Sequence, residues 1–268
     1  MKVTILGSGT NIHPTRAGAG YVFVTDQPIL LDFGPRTLSN LLQTGIDRHT
    51  IQHLLFTHYH ADHFSDFIPF FFDAVCHSKF VKVRTALTIH GPPGTKRLFQ
   101  TIFRTFPNFS DAPFPVTLKE VTGRSFAIGE TRVTPWPMTH SNSQICLGYR
   151  LEYQGRSVAF SGDAVASPQL ISLCRNVDLA ILDCSFASSQ PGGAHMHAEE
   201  CGTVAKEAGA KRLVLSHFYQ AADRSNVVTQ ARRWFSGPII KAKDLLTLQV
   251  GRALPTKVEK REGLRPWI

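Results

Sequence analysis

The sequence predicts an α/β fold in which two β-sheets pack face to face and helices cover their outer faces. Short β-type runs recur along the chain, helix-like segments lie between them, and Gly, Pro, Asn and Asp separate the two kinds of segment. Strand-like runs dominate the start of each half of the chain, which fits two sheets better than one. With 268 residues, 43% of them hydrophobic, we expect one domain that covers 1–268.

The predicted elements follow one another from the first residues to about position 234. The expected strands are Val3–Leu6, Tyr21–Thr25, Ile29–Asp32, His53–Thr57, Leu87–His90, Arg132–Pro135, Leu147–Tyr153, Ser157–Ser161, Leu179–Leu182 and Arg212–Ser216. The expected helices are Arg36–Thr44, Phe64–His77, Gly94–Phe103, Pro168–Cys174, Ala198–Ala208 and Asn226–Trp234. Gln154-Gly155-Arg156 separates two of the strands and predicts a hairpin turn.

Composition narrows the class of protein. No stretch has the form of a signal peptide, and no run of about 18 apolar residues occurs, so we expect a cytoplasmic protein that does not span a membrane. The five cysteines are scattered and never form a C-x-x-C pair. This arrangement favours reduced thiols over disulfides or a thiolate zinc site.

The net charge of +9 favours an anionic partner, either a small molecule or a nucleotide-type substrate. A generally basic, solubilising surface is the alternative, because the basic residues are spread along the chain without a run of five. A homodimer is left open. The tail from Leu254 to Ile268 predicts either an ordered wrap around the domain or a frayed end.

The strongest chemical signal is a dense group of histidine and aspartate residues after the fourth predicted strand. His58, His60, Asp62 and His63 fall within six positions. Imidazole and carboxylate are ligands that zinc accepts, and burying so many polar groups without partners is costly. The alternative is a polar helix start that Asp62 caps. The density of histidine favours a metal site.

Three later residues extend this prediction. His140, Asp163 and His217 each stand at the end of an apolar run. Residues at strand ends project into a shared crevice, which is where α/β folds place their sites. We therefore expect these three side chains to join the first four.

The sequence resembles the metallo-β-lactamase-fold hydrolases, and within them the ribonuclease Z-like branch. The matching motifs occur in the family's order: Leu6-Gly-Ser-Gly-Thr, Pro14-Thr-Arg, Leu31-Asp32-Phe33-Gly34, Thr57 through His63, His140-Ser141, Ser161-Gly162-Asp163 and Ser216-His217. The resemblance implies a four-layer αββα sandwich with two mixed sheets. It also implies two divalent metal ions, with Zn²⁺ preferred and Mn²⁺ or Fe²⁺ as alternatives.

The resemblance also implies how the ions are held. His58, His60 and His140 would bind one ion. Asp62, His63 and His217 would bind the other, and Asp163 would bridge both. A hydroxide shared by the ions would then attack phosphorus or a carbonyl carbon, and Asp62 could orient or deprotonate the attacking water.

Four further residues are candidates for a supporting role. His195 aligns with the histidine of the family's His-Ser-Thr loop and is expected to donate a proton to the leaving group or to stabilise the charge that develops there, whereas His197 takes the threonine position. The alternative is that both only line a helix start. Asp183 follows a strand and is expected to orient His195 or a metal ligand. His13, in the glycine-rich loop, is a candidate substrate contact.

The interval between the His140 and Asp163 motifs argues against tRNA as substrate. Members of the family that process tRNA carry a long arm there, whereas here 141–162 is taken up by two strands and a tight turn. The sequence therefore favours hydrolysis of a phosphodiester in a small or RNA-type substrate. Hydrolysis of carboxylic esters, thioesters or lactones on the same metal ions is the first alternative, and a metal-binding module without activity is the second.

Overall fold

Strands and helices alternate along the chain in a computed structural model that describes residues 1–81, 84–141, 143–190 and 193–251. The strands are β1 Lys2–Gly7, β2 Gly20–Val24, β3 Pro28–Phe33, β4 His53–Leu55, β5 Leu87–Gly91, β6 Val116–Glu120, β7 Phe126–Ile128, β8 Thr131–Met138, β9 Cys146–Tyr153, β10 Arg156–Phe160, β11 Leu179–Asp183, β12 Leu213–Ser216, β13 Ile239–Lys241 and β14 Thr247–Gln249. The helices are α1 Thr37–Gln43, α2 Ala61–Phe64, α3 Phe67–Val81, α4 Thr95–Thr105, α5 Pro168–Leu173, α6 Ala198–Glu207, α7 Gln220–Arg224 and α8 Val227–Arg232.

The strands form two seven-stranded sheets. The first has the order β14-β1-β2-β3-β4-β5-β6 and the second the order β13-β12-β11-β10-β9-β8-β7. In the first sheet β14, β1, β2 and β3 pair antiparallel, and β3 to β6 pair parallel. The second sheet repeats this division, with β7 to β10 antiparallel and β10 to β13 parallel. Both sheets are therefore mixed, as expected.

Two hydrophobic clusters correspond to the layers of the sandwich. Along β1 and β2, Val3, Ile5 and Tyr21 belong to the larger cluster, which also holds residues of the second sheet and of α5, α6 and α8. Leu6 and Val22, one position away, belong to the second cluster with residues of α1, α3 and α4. Because successive strand residues point to opposite faces, the first sheet is buried on both sides. The predicted four-layer αββα architecture is confirmed.

Most predicted elements are present, and the differences lie mainly at the sheet edges. The turn at Gln154 and Gly155 is formed with positive φ angles of 48° and 69°, which suits a tight hairpin. The strands β6, β7, β13 and β14 and the short helices α2 and α7 were not predicted. The tail from Leu254 onward lies outside the described residues, so its conformation and the single domain over 1–268 stay predictions. Among the described residues, no helix combines the length and apolarity that crossing a membrane requires.

Candidate metal centre

The predicted ligands meet because parallel strands of both sheets end at one edge of the sandwich. Asp163 follows β10, Asp183 is the last residue of β11 and His217 follows β12, and these three strands are adjacent. In the other sheet β4 leads into His58. Parallel neighbours bring their carboxyl ends to the same edge, so residues distant in sequence become neighbours.

Four side chains form a first group that could hold a metal ion: His58, His60, His140 and Asp163. His58 Nε2 lies 2.9 Å from His60 Nδ1, and His140 Nε2 lies 3.4 Å from the same atom. Asp163 Oδ2 lies 3.6 Å from His58 Nε2 and 3.5 Å from His140 Nε2. Three imidazole nitrogens and one carboxylate oxygen thus converge on one point.

Asp62, His63 and His217 form a second group, and Asp163 presents its other oxygen to it. His217 Nε2 lies 3.2 Å from His63 Nε2 and 3.3 Å from Asp62 Oδ2. Asp163 Oδ1 lies 3.0 Å from His63 Nε2 and 3.3 Å from His217 Nε2. One carboxylate therefore faces both groups, one oxygen to each.

These distances match ligands around ions better than hydrogen bonds within a polar cluster. Four ligand atoms about 2 Å from a tetrahedral ion stand about 3.3 Å from one another, which lies within the observed range of both groups. Asp163 Oδ1 is enclosed and accepts no hydrogen bond from the described residues, although two imidazole nitrogens face it. A buried oxygen without a donor needs an explanation, and a cation supplies one. The donor set therefore fits divalent ions.

Each of four imidazoles has a partner on its other ring nitrogen. His58 Nδ1 lies 3.0 Å from Thr57 Oγ1, and His63 Nδ1 lies 2.7 Å from Asp32 Oδ2. His140 Nδ1 donates to the carbonyl of Ala194 at 2.8 Å, and His217 Nδ1 lies 3.0 Å from Ser185 Oγ. Such outer contacts fix the tautomer and the ring orientation of histidine ligands.

These supporting residues were not predicted as part of the site. Asp32 is a carboxylate at the end of a strand, as Asp163 and Asp183 are, and that signal could have identified it. It also adopts a positive φ of 54°, which is uncommon for a residue other than glycine. Thr57, Ser185 and the Ala194 carbonyl carry no comparable signal, because any residue with a suitably placed oxygen could take their positions.

The loop that carries Asp62 is held by a close approach of two backbones. Asp62 O accepts the N–H of Ala19 at 2.9 Å, and Gly34 N–H donates to Ala19 O at 2.8 Å. A Cβ atom at Gly34 would stand 1.8 Å from Asp62 O, so only glycine fits there. The Leu31-Asp32-Phe33-Gly34 segment thus supports the cluster through both Asp32 and Gly34.

His195 lies beside the cluster and is bound to Asp183. Its Nδ1 is 2.7 Å from Asp183 Oδ2 and 3.9 Å from Asp163 Oδ2. Asp163, Asp183, His195 and His217 also form a group that could hold an ion. The 2.7 Å contact is a normal hydrogen bond and is shorter than the spacing of ligands around zinc. We therefore interpret Asp183 as the support of His195 and not as a ligand.

His197 and His13 lie outside all three groups. His197 precedes α6, where its ring nitrogens face Glu200 Oε2 at 2.9 Å and the Gln190 carbonyl at 2.7 Å. His13 Nδ1 accepts the backbone N–H groups of Thr15 and Arg16. The contacts of His197 match the alternative that it lines a helix start, and those of His13 shape the glycine-rich loop.

The carboxylates make this region favourable for positive charge. Burial lowers the pKa of His63, but the carboxylates of Asp163 and Asp32 outweigh burial and hold that pKa well above 6.5. Burial likewise lowers the pKa of His217, and Asp163 leads the contributions that raise it to about 10. Burial would raise the pKa of Asp163, yet His217 and His63 hold it well below 3.8. An ion that binds here would release protons from the imidazoles.

Comparison with known proteins decides the family. The model of the beta-lactamase superfamily domain matches residues 28–218, which include every residue of the two ligand groups. The chain belongs to the beta-lactamase superfamily. Its two-sheet architecture is the metallo-β-lactamase fold. Its relatives are hydrolases, which identifies the chain as a hydrolase. Its histidine and aspartate cluster is suited to divalent metal ions.

Two curated relatives span almost the whole of this superfamily member. Ribonuclease BN of Cronobacter sakazakii is 24% identical over 313 residues, covering 93% of this chain and 100% of the ribonuclease. The probable metallo-hydrolase YhfI of Bacillus subtilis is 28% identical over 247 residues, covering 91% of this chain and 97% of YhfI. The predicted similarity to ribonuclease Z-like proteins is confirmed.

Solved structures agree on the fold. The crystal structure of YhfI from Bacillus subtilis has a TM-score of 0.80 at 26% identity and covers 92% of this chain and 98% of its own. A diphosphatase of the PhnP family has a TM-score of 0.70 at 21% identity, with 92% and 97% covered. The second likeness shows the fold alone.

Proposed function

We propose that this protein is a hydrolase of phosphodiesters with two divalent metal ions, of which zinc fits the ligands best. The proposal rests on the position of the Asp163 carboxylate. Its Oδ2 faces the group of His58, His60 and His140, and its Oδ1 faces the group of Asp62, His63 and His217. A carboxylate shared in this way is how a protein holds two ions side by side. Paired ions supply an acidic water and positive charge for in-line displacement at phosphorus.

The residues of the chain divide the remaining tasks. Asp62 lies at the second group, with its Oδ2 directed at His217, and its remaining oxygen can orient the attacking water or accept its proton. An oxygen–phosphorus bond forms on the attacked side, and the bond to the leaving oxygen breaks. The leaving oxygen then requires a proton.

His195 is the residue we assign to that proton transfer. Its Nδ1 is occupied by Asp183, and among the described residues no hydrogen bond involves its Nε2. Burial lowers the pKa of His195, but the hydrogen bond to Asp183 outweighs it, so the pKa is raised. A histidine oriented by a carboxylate is a common arrangement for a general acid.

A compact substrate fits better than tRNA. The alignment with ribonuclease BN runs over 313 residues, more than this whole chain of 268, so the ribonuclease contains segments that are absent here. In this chain β9 and β10 fill the interval after the His140 motif, joined by the tight turn at Gln154 and Gly155. A PhnP-family diphosphatase shares the fold at 21% identity, so the fold itself is compatible with a phosphorus-containing substrate.

Elemental analysis combined with a phosphodiester assay tests the proposal. We expect two divalent ions per chain and hydrolysis of bis(4-nitrophenyl) phosphate. His195→Ala should leave the metal content unchanged and lower kcat 10²–10⁴-fold for a phosphodiester with an alkoxide leaving group, such as a cyclic nucleotide, because that leaving oxygen needs the proton. His77→Ala, a histidine of α3, is the matched control and should behave as the unaltered protein. Turnover of lactones, thioesters or carboxylic esters without any phosphodiester turnover would select the alternative function instead.

A further inference from the structure

Beside the candidate metal centre, two aromatic side chains form a stacked pair that the proposed mechanism does not use. The rings of Phe186 and Tyr219 have centroids 5.7 Å apart and an interplanar angle of 4°. Both residues are half-buried, so neither is enclosed in the core. We call this pair the aromatic platform.

The platform lies against the histidine to which we assign proton transfer. The His195 ring is 5.9 Å from the Phe186 ring at 83° and 6.1 Å from the Tyr219 ring at 82°. The imidazole therefore meets both rings edge to face. A group that covers the platform would stand next to an ester bond held between His195 and the ligand groups.

Both members of the platform are fixed by the backbone. Phe186 N–H donates to Met196 O, and Ala198 N–H donates to Phe186 O, both at 3.2 Å, which ties Phe186 to the loop of His195. Tyr219 immediately precedes α7 and accepts the Asp223 N–H at 3.0 Å. Asp223 in turn accepts two hydrogen bonds from Arg16, at 2.9 and 2.6 Å. The platform is thus preorganised, which reduces the entropic cost of binding.

Among the described residues, Tyr219 contacts fewer rings than Phe186, which also lies 5.8 Å from the His197 ring. Phe186 stacks on one face of the Tyr219 ring, and among the described residues the only other ring near it is the edge-on His195. The Tyr219 hydroxyl makes no hydrogen bond with any of the described residues. A core tyrosine normally satisfies its hydroxyl, as Tyr21 does with Ser216 and Tyr149 with the Phe56 carbonyl.

We propose that the aromatic platform binds a planar ring of the substrate, and that a nucleoside phosphate ester is the substrate class that fits. This inference rests on the proposed function, because the platform is placed relative to the ester-cleaving centre. Planar bases stack on aromatic side chains whatever their sequence, and the net charge of +9 favours the phosphate of such a ligand. The ring would bind to Tyr219 while the phosphate occupies the metal centre.

Binding measurements without turnover test this inference. Calorimetry on the metal-loaded protein compares adenosine 5′-monophosphate with ribose 5-phosphate, which has the same sugar and phosphate but no base. We expect roughly tenfold tighter binding of the nucleotide, in line with base stacking on one aromatic ring. Tyr219→Leu should remove this preference by weakening nucleotide binding alone, whereas Tyr219→Phe should keep it.

The outcomes are separable. Phe80→Leu, which alters an aromatic residue that is 88% exposed on α3, is the matched control and should leave both affinities unchanged. Equal binding of the two ligands, or an equal loss of both in Tyr219→Leu, would overturn the inference and leave the platform a packing feature. A nucleotide preference that Tyr219→Leu removes, in a protein that hydrolyses no phosphodiester, would support the platform and refute the proposed function.

Discussion

The Asp32→Asn substitution tests how far a residue that binds no ion controls the candidate metal centre. Asp32 is buried, with Oδ1 2.8 Å from the Thr57 N–H nitrogen and Oδ2 2.7 Å from His63 Nδ1. Asparagine has the same shape and tolerates the positive φ at this position. The backbone should therefore be preserved while the chemistry of Oδ2 changes.

The expected magnitude follows from which hydrogen bonds are lost. An amide can still accept the Thr57 N–H, but its NH₂ group cannot accept a hydrogen bond from His63 Nδ1. His63 then loses the contact that holds its Nε2 toward Asp163 and His217. Loss of such an outer partner weakens metal binding about 10- to 100-fold, which corresponds to about 1.4–2.7 kcal/mol.

Zinc titration against a chromogenic chelator measures this effect. We expect the binding step of the group of Asp62, His63 and His217 to weaken by that factor, because His63 loses its partner directly. The other group should weaken less, since Asp32 reaches it only through Thr57 Oγ1, which lies 2.8 Å from Asp32 Oδ2 and 3.0 Å from His58 Nδ1. Asp111→Asn, at an exposed position, is the control for the loss of a carboxylate. If both affinities in Asp32→Asn stay within twofold of the unaltered protein while its melting temperature is unchanged, the assigned role of Asp32 is wrong.

Three further predictions concern the proton donor, the metal loop and acid stability. Asp183→Asn should lower kcat at least tenfold and leave the metal content unchanged, and an unchanged pH–rate profile would contradict the orienting role. Gly34→Ala should lower the free energy of unfolding by about 1–3 kcal/mol or more and reduce the amount of bound zinc. Denaturant unfolding and elemental analysis measure the two effects, and unchanged values would contradict the close approach of Gly34 to Asp62. Burial lowers the pKa of His90 from 6.5 to about 3 in the folded protein. As the pH falls below 6.5, His90 therefore takes up a proton in the unfolded protein but not in the folded one, and stability is lost from there toward pH 3. Between pH 7 and pH 5, His90 should lower the free energy of unfolding by about 2 kcal/mol. In urea titrations over this range, the free energy of unfolding of His90→Phe should therefore fall by that much less than that of the unaltered protein. An equal fall would contradict the assignment.

The ligand groups could be anticipated because their residue types are chemically distinctive. Histidine and aspartate at the ends of apolar runs are expensive to bury without a partner, and strand ends converge in α/β folds. His140, Asp163 and His217 could therefore be connected with the His58 to His63 segment before any coordinates were known. The division of Asp163 between the two groups is visible only from the positions of its two oxygens.

Supporting contacts were harder to predict since they depend on tertiary approach. Ser185 reaches His217 only because β11 and β12 pair in parallel, with Asp183 opposite Ser216. His197, in contrast, was predicted as a site candidate, but its contacts lie elsewhere. Its place in a histidine-rich loop favoured the site, whereas its hydrogen bonds to Glu200 and Gln190 belong to the start of α6.

The edge strands were missed for a physical reason as well. β7, β13 and β14 have three residues each, too few to show an alternation of apolar and polar residues. β6 is largely exposed, with polar residues at Thr117, Lys119 and Glu120. Such strands are specified by pairing with a neighbour more than by their own hydrophobic pattern.

The number of metal ions per chain tests the central claim most directly. Elemental analysis of purified, zinc-reconstituted protein should give two ions per chain, and His140→Ala should retain the ion of Asp62, His63 and His217. One ion or none in the unaltered protein, with the fold intact by circular dichroism, would contradict the account of Asp163 as a carboxylate shared by two ions.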